Sequence, residues 1–284
     1  MISSPISKIN LDGRSFFIKR DDLIDPYLSG NKYRKLYTLL KSPKEKYNKI
    51  ISYGGTQSNA MLAIAALCKQ KGWEFIYYSK PLGKNQKEQK KGNYFNAINL
   101  GMNSVEIDNE LYRGFISSLR LNLDEQSLII DQGGADAMAL GGLEVLAKEI
   151  RESSLSLNSL ATPSGTGTTA FHLALSLPEY KVYTTPSVGD REYLLSQMRA
   201  FGEIPKNLII LEPQKKYHFA KPYGEFMAIY KKLLNLGIEF DLLYAPSLWQ
   251  EILNQTTEDI LYIHSGGVSG NESMLERYKQ KGLL

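Results

Sequence analysis

Cysteine is almost absent from this 284-residue chain. Cys68 stands alone, which excludes an intrachain disulfide. Set in the apolar run Ala63-Ile64-Ala65-Ala66-Leu67, it reads as a buried, inert thiol in a reducing compartment. Histidine is nearly as scarce: His172, His218 and His264 are isolated from one another, so no metal-ligand spacing occurs and no metal is expected. An excess of one charge is also missing. The 34 Lys and Arg against 30 Asp and Glu leave a formal net charge of +4, spread along the chain, and make no case for nucleic acid. The densest basic run, Lys84 to Lys91, reads as a solvated loop leading into a helix. No apolar run approaches membrane-spanning length, and Met1-Ile2-Ser3-Ser4-Pro5-Ile6 lacks the regions of a leader. A cytoplasmic protein with no membrane association is expected.

With 43% hydrophobic residues and no low-complexity tract, the chain can bury a sizeable core as one large domain or two smaller ones. Seven short apolar runs read as strands: Phe16 to Ile18, Lys49 to Ser52, Glu74 to Tyr78, Ser127 to Ile130, Lys181 to Tyr183, Leu208 to Leu211 and Ile260 to Ile263. Helical patterns alternate with them, which predicts an α/β fold with largely parallel sheet. Several runs end in glycine-rich or hydroxyl-rich turns: Gly54 to Asn59, Gly133-Gly134, the turn at Ser164, and Ser265-Gly266-Gly267. Ligands of open α/β sheets sit at the carboxyl ends of strands, so a site is expected there. The charged segment Lys41 to Lys46 suggests a crossing between lobes.

Lys32 opens a helical pattern whose apolar face includes Leu36, Leu39 and Leu40. The positive end of that helix disfavours an ammonium by a few tenths to about 1 kcal/mol. Arg34 and Lys35 push the same way by like-charge repulsion, which favours a nucleophilic amine. Far downstream, Ser164-Gly165-Thr166-Gly167-Thr168-Thr169 offers a hydroxyl-lined turn able to cradle one phosphate. An amine and a phosphate cup together suggest pyridoxal phosphate. Ser58 or Asn59 is a good N-cap for the next helix, and capping alone accounts for both; the free N–H groups of that turn also suit a substrate carboxylate.

Taken in order, these segments resemble the pyridoxal-phosphate enzyme family of D-cysteine desulfhydrase and 1-aminocyclopropane-1-carboxylate deaminase. The resemblance covers nearly the whole chain. It runs through Lys19-Arg20-Asp21-Asp22-Leu23, Gly30-Asn31-Lys32-Tyr33-Arg34-Lys35-Leu36, Gly54-Gly55-Thr56-Gln57-Ser58-Asn59, the Ser164–Thr169 loop and Ile263-His264-Ser265-Gly266-Gly267. It implies a two-lobed fold like that of tryptophan synthase β-subunit. The larger, cofactor-binding lobe would be residues 1–40 and 127–284, and the smaller, mobile lobe residues 41–126. It also implies a homodimer and a small amino-acid substrate. Lys32 would be the Schiff-base lysine, and Lys35 would help the Ser164–Thr169 loop hold the phosphate. Asn59 would bond the cofactor's phenolic oxygen. Ser58 would sit beside the substrate carboxylate or the Schiff-base nitrogen, with Gln57 and Asn59 on the substrate side. Tyr223 and Tyr244 look like the family's two active-site tyrosines.

Departures from the pattern bear on substrate. Where the deaminases read Tyr-Glu-Gly-Lys, with the glutamate facing the pyridine nitrogen, this chain reads Tyr244-Ala245-Pro246-Ser247. Its histidine turn carries Ser265, like the His-Thr-Gly-Gly of the desulfhydrases, where a hydroxyl addresses that nitrogen. A hydroxyl stabilises a pyridinium less than a carboxylate does. Ala60 stands where relatives often carry a larger polar residue, and the stretch around Phe219 to Pro222 is trimmed. The resemblance therefore implies α,β-elimination from D-cysteine or a similar β-substituted amino acid, giving a 2-oxo acid and ammonia. Deamination of 1-aminocyclopropane-1-carboxylate to 2-oxobutanoate is the alternative. A third reading is a binding module that keeps the fold without turnover, against which intact Lys32, Lys35, Asn59 and phosphate loop argue.

Overall fold

Short β-branched and aromatic runs pair into two sheets in the computed structural model, which describes residues 3–132 and 138–284. The strands are β1 (Ile6–Leu11), β2 (Arg14–Lys19), β3 (Lys49–Tyr53), β4 (Glu74–Ser79), β5 (Met102–Glu106), β6 (Ser127–Ile130), β7 (Ser159–Ala161), β8 (Lys181–Thr184), β9 (Leu208–Ile210) and β10 (Ile260–Ile263). The helices are α1 (Gly30–Lys35), α2 (Tyr37–Lys41), α3 (Asn59–Lys71), α4 (Lys84–Gln89), α5 (Asn93–Asn99), α6 (Asn109–Ser118), α7 (Ala139–Arg151), α8 (Thr168–Ser176), α9 (Arg191–Arg199), α10 (Gly224–Asn235), α11 (Ala245–Gln255) and α12 (Asn271–Gln280). No helix among the described residues is long and apolar enough to cross a membrane.

One sheet has six strands in the order β1-β2-β10-β7-β8-β9, and the other has four in the order β5-β4-β3-β6. Every pairing is parallel except β1 with β2. That hairpin turns on Asp12-Gly13, both at positive φ (50° and 81°), the geometry that an Asp-Gly pair supplies for a two-residue turn. All seven runs read as strands above are strands here. β6 pairs with β3, setting Ile129 opposite Ile51, so the four-stranded sheet extends past the 126/127 boundary read from sequence. β6 completes this sheet instead of joining the other.

Two further expectations change. The helix opened by Lys32 breaks at Leu36 (φ −91°, ψ 4°), giving α1 and α2 in place of one continuous element. The basic run beginning at Lys84 is itself a helix, α4. The Gly133-Gly134 turn lies outside the described residues.

Helix α3 shows how composition sets the layering. Nine consecutive residues, Ala60 to Cys68, are buried, so the helix has no solvent face over two and a half turns. Four alanines let it sit closely against its neighbours all round, as a helix apolar on every side must. Cys68 is buried there, and desolvation pushes its thiol pKa well up, so it is inert.

An ion-paired cluster fixes α1. Arg34 is fully buried and forks onto both oxygens of Asp21 (Nε 2.9 Å, Nη2 2.7 Å) and both of Glu149 (Nη1 2.7 Å, Nη2 2.9 Å). Lys19 Nζ lies 2.7 Å from Glu149 and donates to the Ser4 carbonyl at 2.6 Å. Burial favours the neutral form of Glu149, but hydrogen bonds from Arg34 and Lys19 outweigh it and hold the carboxyl below its usual range. Helix α7 approaches α1 so closely that a Cβ on Gly142 would stand 1.8 Å from the Arg34 carbonyl oxygen.

Removing one member of such a cluster strands the others as buried charges, at roughly 3–5 kcal/mol. Arg34→Met is therefore expected to lower the free energy of urea unfolding by that amount, whereas a loss below about 1 kcal/mol would show the cluster to be dispensable.

Candidate active site

The turns that follow β3, β7 and β10 converge on a cavity of about 430 Å³. This is the size of a small-ligand site, placed where open parallel sheets bind ligands. Lys32, Lys35, Gln57, Ser58, Asn59, Ser164, Gly165, Thr166, Gly167, Thr168, Thr169, Tyr244 and Ser265 all line it. Lys32 and Ser265, 233 positions apart in sequence, thus meet at one place.

Lys32 reaches the cavity from the first turn of α1. Desolvation of its amine lowers the pKa from 10.5 to about 8. Burial is the cause; like-charge repulsion from Arg34 is not, because that guanidinium is neutralised by Asp21 and Glu149. The start of α1 is held against the turn after β10. Asn31 N donates to the Ser265 carbonyl at 3.2 Å, and a Cβ on Gly30 (φ +58°) would stand 1.9 Å from that oxygen. The turn has its own brace in His264, fully buried and stacked on Phe240 at 4.3 Å. Its Nδ1 accepts from Gly266 N at 3.1 Å, which makes Nε2 the protonated nitrogen donating to the Glu239 carbonyl at 2.9 Å. Desolvation lowers the His264 pKa, consistent with that neutral tautomer.

Gly167 is the N-cap of helix α8, and the first N–H groups of that helix have no intrahelical carbonyl to meet, so they suit an anion. Thr166 and Thr168 hydroxyls lie 2.9 Å apart in the same loop. Ser164 plays a different part from the one read from sequence. Thr184 gives its hydroxyl proton to the Thr162 carbonyl, so Ser164 must donate to Thr184 at 2.7 Å and keeps no proton for a phosphate. Its side chain shapes the loop. Ser58 is the N-cap of α3, accepting from Met61 N at 3.3 Å, and its own proton goes to the hydroxyl of Tyr77, which in turn donates to the Gly55 carbonyl at 3.0 Å.

Tyr244 lies over the loop: a Cβ on Gly165 would fall 3.4 Å from its ring. Asp241 aims it by accepting from the N–H groups of Leu243 (3.0 Å) and Tyr244 (2.6 Å). Burial raises the Asp241 pKa to about 6 against the pull of those donors. Burial, reinforced by Asp241, raises that of Tyr244 to about 12, so the phenol keeps its proton. Tyr223 is not in the wall. Its hydroxyl accepts from His218 N at 2.9 Å and its ring packs on Tyr217 and Phe226, beneath the loop whose Phe219 and Ala220 reach the cavity instead.

Sequence reasoning missed Gln132 and the group Phe219, Leu243, Ser273, Met274 and Arg277. Ser273 and Arg277, one turn apart on α12, carry a helical spacing that could have been noticed. The ionisable wall residues among those described are Lys32, Lys35 and Arg277, all of them bases. A readily deprotonated amine, helix-terminal N–H groups, a second lysine and neutral donors at Asn59 and Ser265 fit pyridoxal phosphate. Lys32, Lys35, the Gly165–Thr169 loop, Asn59, Tyr244 and Ser265 would hold it.

No family model matches the chain. It is 28% identical, over 91% of its length and 90% of the relative's, to a putative 1-aminocyclopropane-1-carboxylate deaminase of Thermotoga maritima. It is 25% identical, over 95% and 77% of the two lengths, to the bifunctional D-cysteine desulfhydrase/1-aminocyclopropane-1-carboxylate deaminase of Arabidopsis thaliana. Among solved structures, a homologue of 1-aminocyclopropane-1-carboxylate deaminase superposes with a TM-score of 0.76 at 22% identity, covering 98% of this chain and 94% of the other. The relatives bear the names of the family that the motifs resemble, and the superposition shows the same fold.

With an amine pKa of about 8, capture of pyridoxal phosphate by the apoprotein is expected to accelerate about tenfold per pH unit below that point and level off above it. Stopped-flow absorbance across pH 6 to 10 measures this, and a rate still climbing toward pH 10 would mean Lys32 has an ordinary amine.

Proposed function

We propose that this chain is a pyridoxal-phosphate-dependent lyase that removes the α-proton and the β-substituent of a small amino acid, D-cysteine or a close analogue, and yields a 2-oxo acid and ammonia. The observation that carries the reading is Lys32: an amine with a pKa near 8, facing a glycine-threonine loop at a helix N-terminus across one cavity. When bound, pyridoxal phosphate supplies an electron sink for negative charge developing at the substrate Cα.

The chain's own groups supply the rest. The desolvated Lys32 amine takes the α-proton, its lowered pKa bringing it close to the working pH at which a general base is most effective. N–H groups of the first turn of α3 hold the substrate carboxylate, with Ser58 and Gln57 beside them. Tyr244, neutral throughout the working range, holds a proton that can pass to the departing β-substituent. Phe219, Leu243 and Met274 keep water from the reacting atoms.

The wall also favours elimination over cyclopropane opening. No acidic residue occurs among the described residues that line it, and Ser265 is there as a hydroxyl partner for the ring nitrogen. Ala245, at the glutamate position of the deaminases, is buried and does not line the cavity. The reading extends to a cytoplasmic homodimer in which residues around 41–126, together with β6, form a mobile lobe that closes on substrate.

Steady-state assays with both candidate substrates test it. Pyruvate and sulfide from D-cysteine, lost by about 10³-fold or more in Lys32→Ala, are the expected result. Formation of 2-oxobutanoate from 1-aminocyclopropane-1-carboxylate as the faster reaction would assign the deaminase activity instead, and turnover that survives Lys32→Ala would remove the assigned base.

A further inference from the structure

Asn93 opens α5, outside the cavity wall, and is fully buried. Its side chain uses every group it has. Nδ2 lies 3.1 Å from the Gln57 carbonyl oxygen and 2.7 Å from the Asn59 amide, while the other end of the amide faces the Ser269 hydroxyl at 2.9 Å. Its backbone N–H donates to Gln57 Oε1 at 3.3 Å.

These contacts settle which way two amides point. A backbone carbonyl can only accept, so the Asn93 atom beside Gln57 O is the NH2 and not the oxygen. That same NH2 faces Asn59, so the Asn59 atom beside it must be the carbonyl oxygen. Asn59 is thereby left with its NH2 for the cavity it lines. The Nδ2 atom stands over the turn after β10, where a Cβ on Gly267 would come within 2.5 Å of it.

We propose that Asn93 is a positioning residue: it locks the Asn59 amide so that Asn59 presents N–H donors, and never its carbonyl, to an oxygen of the ligand in the cavity. The proposal rests on pyridoxal phosphate being that ligand, whose ring oxygen is stabilised as an anion by a donor and destabilised by an acceptor. Neither the order of motifs nor the cavity wall points to Asn93; its effect on the ligand's ring oxygen passes through Asn59, while its contacts to Gln57 anchor it in place. The contact to Ser269 ties the arrangement to the segment before α12 but does not set its direction, because a hydroxyl can donate or accept.

The test is the absorption of the bound cofactor as a function of pH, together with its affinity. Asn93→Asp offers only acceptors, so Asn59 must turn its NH2 away from the cavity. The pH at which the long-wavelength band gives way to the shorter-wavelength one is expected to rise by at least about one unit, and cofactor affinity to fall about tenfold. In an Asn59→Ala background the same substitution is expected to add nothing, since the group it acts through is gone. Ser269→Ala is expected to leave the titration unchanged. Should Asn93→Asp fail to fold, Asn93→Ala, which frees the Asn59 amide without adding charge, carries the same cycle. A normal titration and affinity in the Asn93 variant, or an effect of equal size with and without Asn59, overturns the proposal. Parent protein that takes up no cofactor overturns the cavity reading, and this proposal with it.

Discussion

Helix α1 has six residues, too few to hold itself together in water, yet it carries Lys32 and Lys35 into the cavity. What holds it is the buried Arg34, on the face opposite to the site, clamped between Asp21 and Glu149. Those carboxylates come from the turn after β2 and from α7, so the clamp gathers distant parts of the chain around one short helix. Gly30 and Gly142 complete the arrangement, since each allows a backbone approach that no side chain would permit. Such rigidity is what a reacting amine needs, because small errors in placement cost large factors in rate.

The cavity then has a consistent electrical character. Its described walls carry cations and neutral donors: a desolvated amine, a second lysine, helix-terminal N–H groups, hydroxyls and an arginine on α12. The buried carboxylates that exist nearby are turned to other work, Asp241 holding the backbone at Tyr244 and Asp21 holding Arg34. Such walls suit a phosphate and a carboxylate together, with one readily deprotonated amine between them. Orientation within it is enforced from outside, by His264 on the Ser265 turn and by Asn93 on Asn59.

Much of this was legible because the chemistry sits in glycine-rich turns at strand ends, and such turns announce themselves in sequence. The turn from Gly54 to Asn59, the Ser164 loop and Ser265 all reach the cavity. Edge elements were less visible. β5 is polar and largely exposed, β7 has three residues, and β1 alternates too weakly to stand out, although the Asp12-Gly13 pair after it is a hairpin signal that could have revealed it. The continuous helix expected from Lys32 onward broke at Leu36 because tertiary packing overrode periodicity. The hydroxyl partners of Tyr223 and Ser164, His218 N in the same loop and Thr184 on β8, are set by the folded backbone and leave no mark in the motifs. Arg277 and Asn93 are exposed only by the fold, which brings α12 and α5 to a site assembled elsewhere.

The central claim is that Lys32 is the amine that binds pyridoxal phosphate covalently. Borohydride reduction of the protein loaded with the cofactor, followed by peptide mapping, tests it directly. The account predicts a yellow absorption band that bleaches on reduction, with the label on the peptide containing Lys32. Label scattered over surface lysines, or no band at saturating cofactor, would contradict it and leave the likeness to these enzymes one of fold alone.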